Sequence, residues 1–293
     1  MPKGVIFVNA YYHTPAIGYQ PARLREELSR LGAEAEILPT DTFPARIEGN
    51  RAQISLDGYD FCVFLDKDRY ILRAIEQTGM PVFNGYRTVS LCDDKMLGAL
   101  ALAEAGVPQP KTLPGPLCYR PEAALGKETY ACAAAYLGEP LIVKENNSSL
   151  GAGVHLIAGE EEFAALWERI KLRSWLMQEY IAESRGRDVR VIVIGGRAIG
   201  AMQRTSAGDF RSNVAAGGSA AAFPLGEELR AVAEGAAKAV GAHFCGVDVL
   251  FGKNGYLVCE VNANAFFGAF EKATGINVAR AYAEHILAAL RGA

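Results

Sequence analysis

The residues with the clearest capacity for chemistry lie near the C-terminus. Asp248 stands in G-V-D-V-L-F, and Glu260 and Asn262 follow in Y-L-V-C-E-V-N, with G-K-N-G at residues 252–255 between them. Both runs are short, apolar and rich in Val and Leu, and a turn signal separates them, so the segment reads as a β-hairpin. Side chains alternate along a strand, which puts Glu260 and Asn262 on one face. Folding about Asn254 brings Asp248 opposite Glu260, within about one residue of register, because turn type sets the pairing. Two carboxylates and an amide oxygen then converge. They are hard donors, few in number, suited to a magnesium ion that keeps waters and shares phosphate oxygens with a nucleotide. A solvated polar face on an edge hairpin is the competing reading of the same residues.

Candidate phosphate ligands lie upstream. Lys144 ends an apolar run and opens E-N-N-S-S-L-G-A-G-V, where Ser149, Gly151 and Gly153 let backbone N–H groups approach an anion. The pattern G-x-x-x-x-G-K-[ST] is absent, so this is not a P-loop. Lys95 sits in C-D-D-K at the start of a helical run. Taken singly, either lysine reads equally as a solvated cation, and the loop as a flexible hairpin tip. Gln178-Glu179-Tyr180-Ile181 ends a strand, where backbone groups and a carboxylate can meet an adenine edge and a ribose. Asp188 and Arg190 alternate on one face of the next strand. The polar loop G-D-F-R-S-N carries Arg211 and Asn213, with Phe210 as an aromatic anchor. Arg204 and Arg211 fall within one loop's reach of each other. Paired guanidinium groups are the expected clamp on phosphates, because their planar fork donates bidentately and stays charged.

The elements that must position these groups divide into three stretches. Strands over 5–8, 35–38, 61–65 and 81–83 alternate with helices over 21–30 and 69–77, closed by Gly32 and Gly79. That alternation argues for a small parallel sheet with crossover helices. No G-x-G-x-x-G follows the first strand, so a dinucleotide fold is poorly supported. Residues 90–105 read as one helix stopped by Gly106 and Pro108, and 113–126 as a proline-rich linker. Strands over 141–144 and 154–157, a helix over 161–170 and a strand over 175–181 make a compact α+β unit. The last stretch holds a hairpin (189–194 and 198–203, turning at Gly195-Gly196), a helix over 227–240, the acidic hairpin and a final amphipathic helix.

A chain of 293 residues, 50% hydrophobic and 22% charged, has the make-up of a globular protein with two or three domains. The net charge of -3, with Lys and Arg spread along the chain, excludes a nucleic-acid surface, so an anionic ligand must be held locally. The six cysteines show no C-x-x-C spacing and read as reduced core thiols. The apolar run at the N-terminus is too short for a signal peptide, and no stretch reaches the roughly 20 residues of a membrane span. A cytoplasmic protein with no membrane partner is expected.

In their order, these pieces resemble the ATP-grasp superfamily, and within it the RimK-like carboxylate–amine ligases. The carriers are D-D-K at 93–95, V-K at 143–144 with S-S-L-G-A-G-V at 148–154, Q-E-Y-I at 178–181 and D-V-R at 188–190. G-D-F-R-S-N with G-G-S-A within 208–220, G-V-D at 246–248, E-V-N at 260–262 and E-K-A-T-G-I-N-V-A at 271–279 complete the set. The match runs from about residue 84 to the C-terminus. Each piece is weak and the ordered set is specific.

The resemblance implies an α/β and α+β architecture: an ATP-grasp fold with an N-terminal parallel-sheet (pre-ATP-grasp) domain over 1–90 and two α+β units sandwiching ATP. Those units are a central subdomain over 91–181 with a glycine-rich lid and a C-terminal subdomain over 182–293 with the metal site. It places Lys95 and Lys144 on phosphates, with Ser149, Gly151 and Gly153 in the lid. Gln178, Glu179, Tyr180 and Ile181 fall at the adenine, Asp188 at the ribose with Arg190 beside it, and Arg211 and Asn213, with Arg204, at the γ-phosphate. Asp248, Glu260 and Asn262 would hold magnesium, with manganese as an alternative. Such ligases convert a small-molecule or peptide carboxylate to an acyl phosphate that an amine attacks, and they leave room for a homo-oligomer. Other phosphoryl transfer on the same nucleotide site, or nucleotide binding without turnover, are the rival functions.

Two departures bear on the amine. Ala215-Ala216 stand where relatives that ligate amino acids usually carry a basic residue, and A-N-A-F-F-G-A-F at 263–270 is bulky and apolar. An acceptor pocket walled by Tyr12, His13, Asn264 and Phe267, preferring an aromatic or aliphatic body to free glutamate, is the expectation. Core packing of Phe266, Phe267 and Phe270 is its alternative.

Overall fold

A computed structural model describes residues 1–292 apart from 13, 150, 207 and 213–217. The first unit contains β1 (Lys3–Val8), α1 (Pro15–Arg30), β2 (Glu34–Pro39), a small hairpin of β3 (Arg46–Glu48) and β4 (Arg51–Gln53), β5 (Phe61–Leu65), α2 (Arg69–Gln77) and β6 (Val82–Phe83). Its sheet has the order β2-β1-β5-β6 with every pair parallel. The strand F-C-V-F-L of β5 is buried along its whole length, as a strand covered on both faces must be. Helix α1 starts six residues before the expected position. Thr14 caps it by accepting from Ile17 N, Pro15 fits the first turn, and Pro21 is accommodated within the helix.

Residues 90–105 form two helices rather than one, α3 (Tyr86–Asp93) and α4 (Lys95–Glu104). Asp94 breaks the run, because its carboxylate accepts from Met96 N and Leu97 N and so caps α4. Beyond it come β7 (Thr112–Pro114), α5 (Thr129–Leu137), β8 (Leu141–Glu145), β9 (Val154–Ile157), α6 (Glu160–Ile170) and β10 (Trp175–Glu179). Their sheet has the order β7-β10-β8-β9, all antiparallel. The start of the supposed linker is thus a strand. This unit has its own core, including Tyr130, Phe163, Trp167 and Trp175.

The third unit holds β11 (Arg187–Ile194), β12 (Arg197–Thr205), β13 (Ser219–Phe223), α7 (Glu227–Val240), β14 (Phe244–Gly252), β15 (Gly255–Asn262), α8 (Gly268–Thr274) and α9 (Val278–Gly292). Its antiparallel sheet has the order β13-β12-β11-β14-β15. One core joins this sheet to the first: Ile6, Leu24 and Phe61 pack in the same cluster as Phe244, Phe267, Phe270 and Tyr282. Asn84, 2% exposed, fastens the seam. Its Nδ2 donates to Phe244 O (2.6 Å) and Ala263 O (2.8 Å), and its Oδ1 accepts from His243 N (2.7 Å) and Phe244 N (3.2 Å). Among the described residues, no helix is long and apolar enough to cross a membrane.

Candidate active site

The chemistry-bearing residues gather where the central sheet faces the third. Lys95 is the first residue of α4, where the Asp94 cap fixes its backbone. Its Nζ reaches into the glycine loop, donating to Ser148 O at 2.5 Å and Asn146 O at 3.3 Å. Burial pulls the Lys95 ammonium below its ordinary value. Glu260 opposes the shift, and the nearby Lys144 and Lys67 charges add to it. Lys144 is buried on β8 and donates to Gln178 Oε1 at 2.7 Å and to Cys259 Sγ at 3.3 Å. Gln178 passes the contact on to Thr112 Oγ1 at 2.9 Å. Cys92, Lys95, Lys144, Gln178, Cys259 and Glu260 line one cavity of about 20 Å³. That enclosed space is about the size of one water.

The hairpin closes at its G-K-N-G turn with Gly252 opposite Gly255, and a bulge between Asp248 and Val249 then shifts the register by one residue. Asp248 pairs with Glu260, and Asn262 Nδ2 lies 3.2 Å from an oxygen of each. Sequence reasoning missed the cations behind them. Arg190 forks onto Asp248 with two bonds of 2.7 Å, and Arg204 adds a contact of 3.0 Å. Asp248 is 3% exposed. Against the cost of burial, Arg190 and Arg204 hold its carboxyl well below the usual carboxylate range. Among the described residues no group of three or more His, Cys, Asp or Glu is placed to hold a metal ion, so the donors on offer are two carboxylates, which the Asn262 oxygen joins only if that amide turns over, since its Nδ2 faces both. They fit a hard divalent cation. Asp248 Oδ1 receives one hydrogen bond and keeps a lone pair, and Glu260 accepts only from Asn262 in this cluster.

Several expectations need correcting. Arg204 is buried and forks onto Asp188 at 2.7 and 2.5 Å, so it does not pair with Arg211 around an open phosphate position. Asp188, likewise buried beneath that fork, does not face a ribose. Arg190 is committed to Asp248 rather than to a nucleotide. Phe267 and Phe270 are fully buried in the shared core, Phe267 against Phe244 and Tyr19, so they wall no acceptor pocket. For these two the core alternative holds, because the last helices need an apolar face against the sheet, while Phe266 is half-buried. The strand before Tyr180 and Ile181 ends at Glu179, whose backbone and carboxylate both engage Lys111. Tyr180 presents a buried hydroxyl that has no partner among the described residues.

The remaining candidates on the polar and glycine loops lie close together. Arg211 donates to Gly151 O at 2.7 Å, which brings the polar loop against the glycine loop, and it is held by Asp209. Gly151 has φ +78°, a conformation that suits glycine. A Cβ at Gly153 would meet Ser148 at 2.6 Å. Ser149 Oγ accepts from Lys67 Nζ at 2.9 Å, and Lys67 is a contributor from the first sheet that the motifs did not flag. Its signal was positional, since it directly follows a parallel strand. Tyr12 is exposed, and the Asn264 Oδ1 atom is buried without a partner among the described residues. His13, Asn213, Ala215 and Ala216 lie outside the described residues.

A parallel sheet leading into two antiparallel α+β sheets, with lysines and a glycine loop at their junction, defines a nucleotide-grasping fold. Residues 92–286 match the RimK-like ATP-grasp domain, and the chain belongs to that family. Over 228 residues it is 35% identical to beta-citrylglutamate synthase B of Danio rerio, covering 77% of this chain and 55% of that protein. The chain therefore spans little more than half of that relative's length. With a probable alpha-L-glutamate ligase of Marinomonas sp. (strain MWYL1) it shares 30% identity over 282 residues, 92% of this chain and 91% of the relative. The crystal structure of a RimK domain protein from Sphaerobacter thermophilus superposes with a TM-score of 0.72 at 22% identity, covering 97% and 99% of the two chains, which supports the fold.

Proposed function

We propose that this chain is an ATP-dependent ligase that joins a carboxylate to an amine through an acyl phosphate and releases ADP and phosphate. The observation that carries the reading is the convergence of Lys95, Lys144 and Glu260, from α4 and two different sheets, on one cavity beneath the glycine loop. In this reading Lys95 and Lys144 bind the phosphates, and the backbone of residues 178–181 meets the adenine. Arg211, with Asn213 beside it in sequence, stabilises charge on the transferred phosphoryl group. Residues 146–153 form the lid that keeps water from the acyl phosphate. Glu260, Asn262 and Asp248 would hold magnesium, with manganese as a substitute, and the ion would neutralise charge on the transferring phosphoryl oxygens. Arg190, Arg204 and Asp188 act behind these groups by fixing the Asp248 carboxylate.

A carboxylate oxygen attacks the γ-phosphorus and ADP leaves. The amine then attacks the acyl carbon, phosphate leaves, and the ammonium proton passes to solvent or a base. With Phe267 and Phe270 in the core, those two residues no longer argue for an apolar acceptor. Both named relatives carry glutamate in their names, which makes glutamate the first amine to test. Screening carboxylate and amine pairs for phosphate release, followed by the mass of the product, tests the reading. ATP consumption without a condensed product would favour simple phosphoryl transfer.

A further inference from the structure

The run F-L-D-K-D leaves β5 at the carboxyl edge of the parallel sheet, the edge beyond which open α/β sheets bind ligands. Asp66 is buried there, and three strand ends share its carboxylate. Asn9, after β1, donates from Nδ2 to its two oxygens at 3.1 and 3.2 Å, and Thr40, after β2, donates at 3.1 Å. Lys67 N completes the set at 2.7 Å. The turn that launches Lys67 is therefore fixed, although its side chain is 51% exposed.

From that turn the ammonium crosses to the other units. Its Nζ lies 2.6 Å from Asp93 Oδ1 and 2.9 Å from Ser149 Oγ in the glycine loop. Its charge acts on Lys95, so it stands near the phosphate lysines without lining their cavity. An ammonium has three donors; Asp93 and Ser149 occupy two. Among the described residues the third has no partner, which leaves it for a ligand arriving from the side of the first sheet. Phosphates are already served by Lys95 and Lys144, whereas the attacking carboxylate has no cation assigned to it.

We propose that Lys67 binds the carboxylate substrate, holding one of its oxygens from Nζ while the other attacks the γ-phosphoryl group. Lys67 thereby orients the carboxylate that is activated. The inference rests on the ligase reading. No proton moves in this contact: the ammonium keeps the carboxylate ionised and oriented, and Asp93 holds the ammonium in place.

The test uses the full chain and the best carboxylate from a panel that includes citrate and glutamate, read as carboxylate-dependent ADP release. Lys67→Met is expected to raise the KM for the carboxylate about tenfold or more while the KM for ATP moves less than about twofold. Lys67→Arg, which keeps the charge, recovers most of the loss. Ser149→Ala, which removes only the lid partner, shifts the KM for ATP instead. An unchanged carboxylate KM in Lys67→Met overturns the proposal. So does an equal rise in both KM values, the mark of a residue that merely pins the lid. Wild-type protein that shows no carboxylate-dependent ADP release with any acid overturns the ligase reading itself.

Discussion

Arg190 on β11 and Asp248 on β14 face each other across an antiparallel ladder and share two hydrogen bonds of 2.7 Å. Arg204, one strand further out, bridges from the same carboxylate to Asp188. Two cations and two anions thus neutralise one another inside the sheet, next to the position where Glu260 reaches the cavity. The proposed metal ligands therefore differ in kind. Asp248 is part of the sheet's internal charge balance, and Glu260 is free of it.

That difference predicts opposite outcomes for two isosteric changes. Asp248→Asn leaves buried arginines underpaired and is expected to cost about 3–5 kcal/mol in urea unfolding. Glu260→Gln is expected to stay within about 0.5 kcal/mol of wild type, while ligase turnover at limiting magnesium falls by orders of magnitude. Equal stability losses in the two variants would count against this division of roles.

Acid should act on the same carboxylate. The Asp248 carboxyl is held below its ordinary value of 3.8, so its contribution is complete above that value and is lost as pH falls below it. Urea titrations from pH 5 to pH 2.5 should show a decline that is shallower in Asp248→Asn. A parallel decline in the two proteins would contradict the assignment.

A second acid response belongs near neutrality. His243 Nδ1 lies 2.9 Å from His285 Nε2, and burial lowers both rings from 6.5, with repulsion from His285 adding to the shift at His243. Lowered folded values mean full stability above about pH 6.5 and a loss below it, as the unfolded chain takes up protons first. The slope should reach about 1.4 kcal/mol per pH unit for each proton. His285→Gln should flatten it; an unchanged slope between pH 6.5 and 5.5 would refute the coupling.

Asn84 satisfies four main-chain groups at once. Asn84→Leu strands two N–H groups and two carbonyls, each worth roughly 1–3 kcal/mol when buried and unpaired. A loss of about 3 kcal/mol or more is expected from denaturant unfolding. Asn84→Asp should recover only part of it, since a carboxylate accepts from His243 N and Phe244 N but cannot donate.

The lid can be stiffened without touching the core. Gly151→Ala places a Cβ at φ +78°, where the left-handed conformation costs about 1–2 kcal/mol. The KM for ATP should rise several-fold while the melting temperature stays close to wild type. Hydrogen exchange over residues 147–153 should slow on adding Mg-ATP in the wild type and respond less in the variant. Identical exchange with and without nucleotide would argue against a closing lid.

The acidic hairpin was legible to within one residue of register from alternation and the G-K-N-G turn, and the bulge that sets Asp248 opposite Glu260 was not. The parallel first sheet was legible for a related reason, since apolar runs of strand length alternate with capped helices. The Asp188–Arg204 pair could also have been read, because the hairpin turning at Gly195-Gly196 sets the two residues opposite each other. The contacts of Arg190 and Arg204 with Asp248 could not, since they depend on β14 lying beside β11, and sheet order is a long-range property that no local spacing encodes. Phe267 was misread because an aromatic cluster looks the same in sequence whether it lines a pocket or fills a core. The break at Asp94 could have been read, since an Asp before a fresh apolar run is a capping signal. The early start of α1 was hidden by Pro21, which suggests a helix start when it stands inside one.

The Asn84 seam and the core common to the first and third sheets weld those two units into a single rigid frame. The central sheet, with a core of its own, is joined to that frame covalently by only two chain crossings, one after Val107 and one after Glu179. On the proposed function, nucleotide capture would be the swing of one lobe against a fixed body. Glu260 and Lys67, both on the frame, would keep their mutual spacing while their distance to Lys144 and the glycine loop changed.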